Sequence, residues 1–256
     1  MLSRWYLELS RRNELLARSG GFCFLIGIIL VILPFLDSRV LLGAYIWTKP
    51  AKFFLSAGIF FWTMGWLMDH LENVKFVKRI SWGIWVIMVL ELTIITYQAS
   101  LGKLSHFNTS SLRDGILFQI MGTAIFLNSA LVFLVFLKFL KSNDLPEGYL
   151  MGIKIGMVIF LIAGFEGFAM AANLKHTIGA PDGQEGLPFL GWAKEYGDLR
   201  IFHFLGLHAL QVVPLLAWFF FKDQPKSVLL FGLVYFLLSF GTLWMALQGK
   251  GIATWF

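Results

Sequence analysis

The sequence predicts an all-α integral membrane protein, a bundle of seven transmembrane helices, on two observations. The 256 residues are 58% hydrophobic and 14% charged, with a mean hydropathy of +0.74, whereas a soluble domain is about one half apolar and one quarter charged. Seven apolar stretches also approach the roughly 20 residues that a helix needs to cross a bilayer. They lie at residues 20–36, 53–70, 80–99, 114–140, 149–172, 201–221 and 226–248. We therefore expect a single transmembrane domain over residues 20–248.

The segment before the first span, residues 1–19, places charged residues among Leu, Trp and Tyr. Leu2, Trp5, Leu9 and Leu16 fall roughly on one helix face, which favours an amphipathic helix lying at the membrane surface. The small-residue cleavage site of a secretory signal does not follow the first apolar run. We therefore interpret this segment as interfacial.

Basic residues indicate the orientation of the chain and the kind of partner. The net charge of +6 comes largely from Lys and Arg at the ends of the apolar runs, where they meet lipid headgroups. This pattern favours a lipid bilayer over nucleic acid as the partner. The N-terminal arginines and the cluster of Lys75, Lys78 and Arg79 place the N-terminus in the cytoplasm under the positive-inside rule. Seven spans then put the C-terminus outside.

Two segments between the spans have their own expected structure. Residues 40–48 are apolar but too short to cross the membrane, so we expect an interfacial or re-entrant piece. The loop at 173–200 is rich in Gly and Pro, which predicts turns rather than a domain. On the predicted topology this loop lies outside, where a long loop can cover a site.

Two glutamates lie inside the predicted spans, Glu91 in the third and Glu166 in the fifth. Ionisable groups are costly in hydrocarbon and mark functional sites or relay protons. Glu91 and Gln98 share one helix face to within about 20°, and Glu166 lies among small residues that permit close helix approach. We interpret both glutamates as catalytic groups, supporting ligands or proton carriers. The alternative is a neutral acid that only hydrogen-bonds to a neighbouring helix.

The sixth span contains His203, His208 and Gln211, and it follows Asp198, a natural N-cap. The two histidines are separated by about 140° around the helix, so they do not grip one small metal ion as an i, i+4 pair does. Either each histidine serves a different partner, or both approach a larger planar ligand from different sides. Pro214 further along cannot donate a backbone hydrogen bond, which predicts a kink.

The loop between the third and fourth spans places further polar residues on the same side as the start of the sixth span. The sequence therefore predicts a site in the outer half of the bundle, where imidazoles bind a transition metal (Zn, Cu or Fe) or haem. The predicted ligands are His203, His208 and His106 for the metal, and Gln98, Gln211 and Asn108 for the cofactor. The alternative is a buried polar network that fixes helix packing. His70 and His176 are expected to be solvated at the interface.

Two strings of the sequence resemble those of a known group of proteins. They are YQA at 97–99 followed by SHFN at 105–108, and GDLR at 197–200 followed by HF-x-GLHA-x-Q at 203–211. The chain resembles a group of uncharacterised bacterial polytopic membrane proteins over roughly spans two to six. This resemblance implies a bacterial inner-membrane location and no particular activity.

Better-understood seven-helix families fit the sequence less closely. A microbial rhodopsin would need a lysine deep in the last span, and residues 228–248 contain none. Membrane hydrolases of the alkaline ceramidase and progestin-receptor-like superfamily hold zinc with histidines, but the His-x4-His spacing of His203 and His208 departs from their His-x3-His pattern. A protein of cytochrome b type would need paired ligands across helices, such as His106 or Glu166 opposite one of these two histidines.

Three functions remain open on the sequence. The first is redox chemistry or metal-assisted hydrolysis of a lipid-soluble substrate at the predicted metal or haem site. The second is a proton-coupled carrier that uses the same buried Glu and His residues without metal. The third is a structural or sensory membrane subunit whose polar core only packs helices.

Overall fold

The computed structural model describes residues 2–254, and its membrane-spanning part is helical. The α-helices in this range are α1 (Leu2–Arg12), α2 (Glu14–Ile32), α3 (Thr48–Met68), α4 (Val74–Ser100), α5 (Leu112–Leu140), α6 (Glu147–Asn173), α7 (Arg200–Phe220) and α8 (Pro225–Leu247). Seven of the described helices, α2 to α8, are long and apolar enough to cross a membrane, the first continuing as a 3-10 turn to Phe35. The prediction of an all-α protein with seven spans is confirmed, and the chain is a multi-pass membrane protein.

The first span begins earlier than its hydropathy indicates, at Glu14 rather than at residue 20. Asn13 is the reason, because its side chain accepts a backbone N–H of the first turn and so caps α2. The predicted interfacial segment therefore divides into α1 and the start of α2. α1 is held at the end of α3, where Arg12 pairs with Asp69 at 3.3 Å and lies 4.0 Å from the ring centroid of Trp66.

The chain divides into two compact units, Met1–Leu131 and Val132–Phe256, with the boundary inside α5. In the first unit, α2 and α3 approach closely at Gly20 and Gly58. A Cβ added to Gly20 would lie 3.0 Å from the carbonyl oxygen of Gly58, so the crossing depends on the missing side chain. Nearby, Nε1 of Trp62 donates to the carbonyl of Ala17 at 3.0 Å.

The second unit is built on a close contact between α6 and α7. A Cβ added to Gly152 would lie 2.6 Å from Cβ of Ala217, and one added to Gly156 would lie 2.8 Å from the carbonyl oxygen of Ala209. Glycines four residues apart therefore let the two backbones meet, as in other membrane helix pairs. Pro214 lies within this contact, and α7 continues past it to Phe220.

The apolar segment 40–48 contains a hairpin at residues 40–45, and its last residue, Thr48, begins α3. β1 (Val40–Leu41) pairs antiparallel with β2 (Ala44–Tyr45), and Leu42 and Gly43 form the turn with φ of 49° and 76°. Two positive φ values in a two-residue loop fit the turn type that strand twist favours. This turn explains why the segment is apolar and yet not helical.

The long loop at 173–200 contains turns and very short strands, as the sequence predicts. β3 (Thr177–Ile178) pairs antiparallel with β4 (Gly197–Asp198), so the two ends of the loop are joined. A single bridge between Gly186 and Ala193 closes the loop again nearer its tip. The loop is thus an ordered cap on the second unit rather than an independent domain.

Candidate functional site

Two predicted site residues on different helices, Glu166 and His203, lie next to each other in the seam between α6 and α7. A Cβ added to Gly167 would lie 2.8 Å from Cε1 of His203, and one added to Gly206 would lie 2.3 Å from Cβ of Ala163. The small residues of both helices therefore leave the space that the imidazole of His203 occupies. This local packing places a carboxyl group and an imidazole side by side within two membrane spans.

The hydrogen bonding of this pair is incomplete. His203 Nδ1 lies 2.8 Å from the carbonyl oxygen of Ala163 and 3.4 Å from Oε2 of Glu166. A carbonyl oxygen only accepts, so Nδ1 carries the proton in this bond. The Glu166 side chain is 9% exposed, and neither of its oxygens accepts a hydrogen bond from a residue that the structure describes.

His208 and Gln211 form a separate pair on α7. His208 Nδ1 lies 3.1 Å from Oε1 of Gln211, so the amide orients the imidazole. The ring of His208 packs against Phe204 at a centroid distance of 4.4 Å, and Trp192 of the long loop also packs against Phe204 at 5.4 Å. His203 and His208 thus serve different partners, which was one of the two arrangements that the sequence left open.

The long loop is held at its base by Asp198, whose side chain is fully buried. Its Oδ2 accepts from the backbone N–H of Ala193 at 2.8 Å, and its Oδ1 accepts from the backbone N–H and from Nε of Arg200 at 3.0 and 2.9 Å. Burial alone would raise the pKa of Asp198, but these hydrogen bonds and the positive charge of Arg200 outweigh it and hold the pKa below its ordinary value. Asp198 is therefore a charged anchor for the loop.

His176 belongs to the same anchor and is not solvated as the sequence suggested. Its side chain is 16% exposed, and Nδ1 lies 3.3 Å from Oδ1 of Asp182 and 4.0 Å from Oδ1 of Asp198. Asp182 also accepts the backbone N–H of Thr177 at 2.9 Å. The two aspartates and the histidine together fix the base of the loop.

In the first unit, the predicted residue Gln98 is part of a network around Asp114. Nε2 of Gln98 donates to Oδ1 of Asp114 at 3.1 Å, and Nζ of Lys103 donates to Oδ2 at 2.9 Å. The hydroxyl groups of Ser110 and Ser111 donate to the same Oδ2 at 3.2 and 2.7 Å. Asp114 is a fully bonded carboxylate at the loop end of α5.

His106 and Asn108 lie in the loop beside this network. Asn108 Nδ2 donates to the carbonyl of Leu104 at 2.9 Å, and its Oδ1 accepts from the Ser110 hydroxyl at 2.7 Å, so Asn108 shapes the loop. His106 Nδ1 lies 3.0 Å from Oγ of Ser105, and its ring lies 5.5 Å from that of Phe53. Both residues have protein partners that hold them in the loop.

Glu91 lies deeper on α4 and contrasts with Asp114. The residue is 2% exposed, and its Oε1 accepts no hydrogen bond within the described part of the chain. The ammonium group of Lys49, near the start of α3, is close enough to attract the carboxylate. Oε1 of Gln98, on the same helix face, is likewise buried without a hydrogen bond from residues 2–254.

The predicted metal or haem ligands are distributed over both units. His106 belongs to the first unit, while His203 and His208 belong to the second and point at different partners. Among residues 2–254, no group of three or more His, Cys, Asp or Glu side chains is arranged to hold a metal ion. Metal or haem binding stays a prediction, and His203 with Glu166 is the pair that would supply two of the ligands.

Three features of these sites escaped the sequence reasoning. Gly167 leaves room for His203, but a glycine among small residues looks like any packing position. His176 is held between two aspartates because the chain folds back from Asp182 to Asp198, and local spacing does not reveal this. The hydrogen-bond network around Asp114 could have been predicted in part, because Ser110 and Ser111 precede Asp114 and serine side chains often bond to nearby groups in the chain.

Each unit therefore contains a fully buried, hydrogen-bonded carboxylate next to a loop, Asp198 or Asp114, and a carboxylate inside a span with an oxygen that accepts no hydrogen bond from the described residues, Glu166 or Glu91. Ionisable side chains inside transmembrane helices are costly and often mark a functional site.

The comparison with known proteins identifies no relative of this chain. The sequence matches no protein-family model, no curated protein and no solved structure at a significant level.

Proposed function

We propose that this chain is a proton-coupled carrier of the bacterial inner membrane, in which Glu166, His203 and Glu91 take up and release protons. The distribution of Lys and Arg supports a cytoplasmic N-terminus and an external C-terminus. Buried Glu and His side chains are the groups that relay protons in membrane pumps and transporters. The proposal needs no bound metal, so it fits side chains that do not gather into a ligand cluster.

The observation that carries the proposal is the unsatisfied carboxyl group of Glu166. A buried carboxyl that only joined two helices would have its oxygens hydrogen-bonded, because an unpaired buried polar group costs free energy. Both oxygens of Glu166 are buried without a hydrogen bond from the described residues, and an imidazole lies 3.4 Å away. This arrangement suits a group that changes its protonation state during a cycle.

The geometry of His203 supports a definite route for one proton. Its Nδ1–H is held by the carbonyl of Ala163, so Nε2 is the nitrogen that is free of a proton and can accept one. A proton arriving at Nε2 makes an imidazolium. When the ring turns from Ala163 toward Glu166, the Nδ1 proton passes to Oε2, which leaves a neutral histidine and a neutral glutamic acid. The proton has then crossed from one side of the ring to the other.

Glu91 supports the same proposal from the first unit. Its carboxyl group lies inside a span with one oxygen lacking a hydrogen bond from the residues described, and Lys49 attracts its charged form. Protonation of Glu91 would release Lys49, and loss of the proton would attract it again. A carboxylate and an ammonium group coupled in this way can link proton uptake to a local movement.

The test needs no knowledge of the solute. Proteoliposomes on a solid-supported membrane are exposed to rapid pH jumps, and the transient current reports protons entering the protein. The wild type should give a transient that Glu166→Gln strongly reduces and that Glu91→Gln also reduces. Glu185→Gln is the matched control, because Glu185 is an exposed loop carboxylate paired with Lys194.

Two results would contradict the proposal. The wild type could give no transient current, or Glu166→Gln and Glu91→Gln could both give the wild-type transient. Either result, with all variants eluting as folded protein in size-exclusion chromatography, would favour a structural or sensory subunit. An absorption spectrum with elemental analysis of the purified wild type and of His203→Ala with His208→Ala separately tests the metal or haem prediction.

A further inference from the structure

A groove of about 830 Å³ lies on the first unit between α4 and α5. Its walls are largely exposed apolar side chains, among them Val86, Leu90, Ile116, Ile120 and Leu127. The volume falls within the range of roughly 300–1,000 Å³ that is usual for small-molecule sites. The groove is therefore large enough for one lipophilic molecule.

The position of the groove limits what can occupy it. Both walls belong to helices that are long and apolar enough to cross the membrane, α4 and α5. Thr109 and Ser111 lie at its loop end, and the rest of the lining extends along the spans. A molecule dissolved in the bilayer can enter such a groove from the side, whereas a water-soluble molecule would have to cross hydrocarbon to reach its deeper part.

Gln119 gives the groove a specific polar feature. It lines the groove about 10 Å along α5 from Leu112, by the helical rise. Its side-chain amide makes no hydrogen bond to a residue in the described range, while the neighbouring Thr123 hydroxyl is bonded to the backbone carbonyl of Gln119 at 3.0 Å. An amide left unpaired in hydrocarbon is unfavourable, so an occupant with a hydroxyl or carbonyl group would satisfy it.

We propose that this groove binds one long-chain lipophilic molecule from the bilayer, whose hydroxyl or carbonyl group hydrogen-bonds to the amide of Gln119. The chain of the molecule lies along the apolar side chains of α4 and α5. The amide both donates and accepts, so it pairs with either group. This site is independent of the proton-carrying residues proposed above.

Two glycines of α5 provide a matched pair of variants. A Cβ added to Gly115 or to Gly122 would meet nothing within 4 Å, so both positions accept a larger side chain without a clash at Cβ. Gly115 lines the groove and Gly122 does not. Gly115→Phe should obstruct the site, and Gly122→Phe controls for a bulky residue on the same helix.

The experiment uses two photoreactive probes in phosphatidylcholine nanodiscs. One is a hexadecanol analogue with a diazirine in the chain and a terminal alkyne, and the other is the matched analogue without the hydroxyl. Cross-links are mapped by mass spectrometry to peptides covering residues 86–127. The alcohol should label these peptides about three- to tenfold more than the alkane, the factor expected for one hydrogen bond.

The variants separate the site from ordinary lipid contact. Gly115→Phe should lose the alcohol labelling, Gly122→Phe should keep it, and Gln119→Leu should make the two probes equal. Equal labelling by both probes in the wild type would overturn the recognition of a polar group. Unchanged labelling in Gly115→Phe would show that the probe contacts these helices only as bulk lipid does, without occupying the groove. A wild-type dimer that Gly115→Phe converts to a monomer would show that a second copy of the chain covers the groove, which also overturns the proposal.

Discussion

Asp198 lies at the loop end of α7 and Glu166 lies inside α6, and the second unit surrounds these two carboxylates in opposite ways. Asp198 accepts hydrogen bonds from two backbone N–H groups and from the guanidinium of Arg200. Glu166 accepts none from the residues described, although a histidine is 3.4 Å away. The first carboxylate is fully hydrogen-bonded by the surrounding chain, whereas the second is the group that we propose as a proton carrier.

The first unit repeats the comparison with different residues. Asp114 is bonded to Gln98, Lys103 and two serine hydroxyls at the end of α5, and Glu91 is buried on α4 with one oxygen lacking a bond from the described residues. Burial alone therefore does not distinguish the two kinds of carboxylate in this protein. Their hydrogen bonding does, and our proposal assigns the proton-carrying role to the two that have an oxygen without a hydrogen bond from the described residues, because an unsatisfied buried group is costly.

The largest expected effect on stability is that of Asp198→Asn, compared with the matched variant Glu166→Gln in the same unit. Asp198→Asn leaves the Arg200 guanidinium without its charged partner, so the free energy of unfolding should fall by about 2–3 kcal/mol. Glu166→Gln loses no hydrogen bond to a described residue and should change it by only about 0.5 kcal/mol. Denaturation of both variants in mixed micelles measures the difference. Equal losses would break the comparison.

The stabilising role of Asp198 should also be measurable in the wild-type protein when the pH is lowered. The pKa of Asp198 is lowered in the folded state, whereas its value in the unfolded chain is about 3.9. The stabilisation is therefore complete above about pH 4 and is lost as the pH falls through the lowered folded-state value. Below about pH 4, the melting temperature of the wild type should therefore fall more steeply than that of Asp198→Asn. Parallel curves would show that Asp198 is not held charged.

A smaller loss is expected for Asp114→Asn in the first unit. The side chain of Lys103, its charged partner, is 39% exposed, so the ammonium can turn to water when the carboxylate is removed. The melting temperature should fall by less than it does for Asp198→Asn, and Glu91→Gln should leave it nearly unchanged. A fall for Glu91→Gln that exceeds the fall for Asp114→Asn would reverse the assignment of roles.

Gly167→Ala should cost less stability than Asp198→Asn, and it tests the position of His203 in the proposed proton-carrying pair. The added Cβ would lie 2.8 Å from Cε1 of His203, so the ring must move by a few tenths of an ångström, at a cost of about 1 kcal/mol. Gly241→Ala is the control, since a Cβ there meets nothing within 4 Å. The transient current after a pH jump should change for Gly167→Ala only. An unchanged current in both would show that the position of His203 is unimportant.

The spans could be predicted from the sequence because hydropathy reports directly on what lies in the membrane. Two local details were not predicted, because hydropathy does not measure them. Asn13 starts α2 within a charged stretch, and a Leu42–Gly43 turn makes a hairpin of an apolar segment. In both cases the deciding interaction is a local hydrogen bond or a backbone angle.

The residues of the candidate site could be predicted from the sequence, but most of the contacts between them could not. Glu166 and His203 were candidates because ionisable residues in spans are rare, and small neighbours of Glu166 indicated a close helix contact. Their pairing across α6 and α7 depends on Gly167 and Gly206, which only the packed structure reveals. Gln98 was expected to orient a ligand, but its partner is Asp114, since the loop between α4 and α5 folds back on the helix ends.

The most direct test of the central claim is infrared spectroscopy of the purified protein as the pH is varied above about pH 5, where the two aspartates stay ionised. The carbonyl stretch of a protonated carboxylic acid identifies each carboxyl group that takes up a proton. We predict titrating bands in the wild type that are lost one at a time in Glu166→Gln and Glu91→Gln and are unchanged in Asp198→Asn and Asp114→Asn. Bands that survive both glutamate variants, or that disappear in the aspartate variants, would contradict the account.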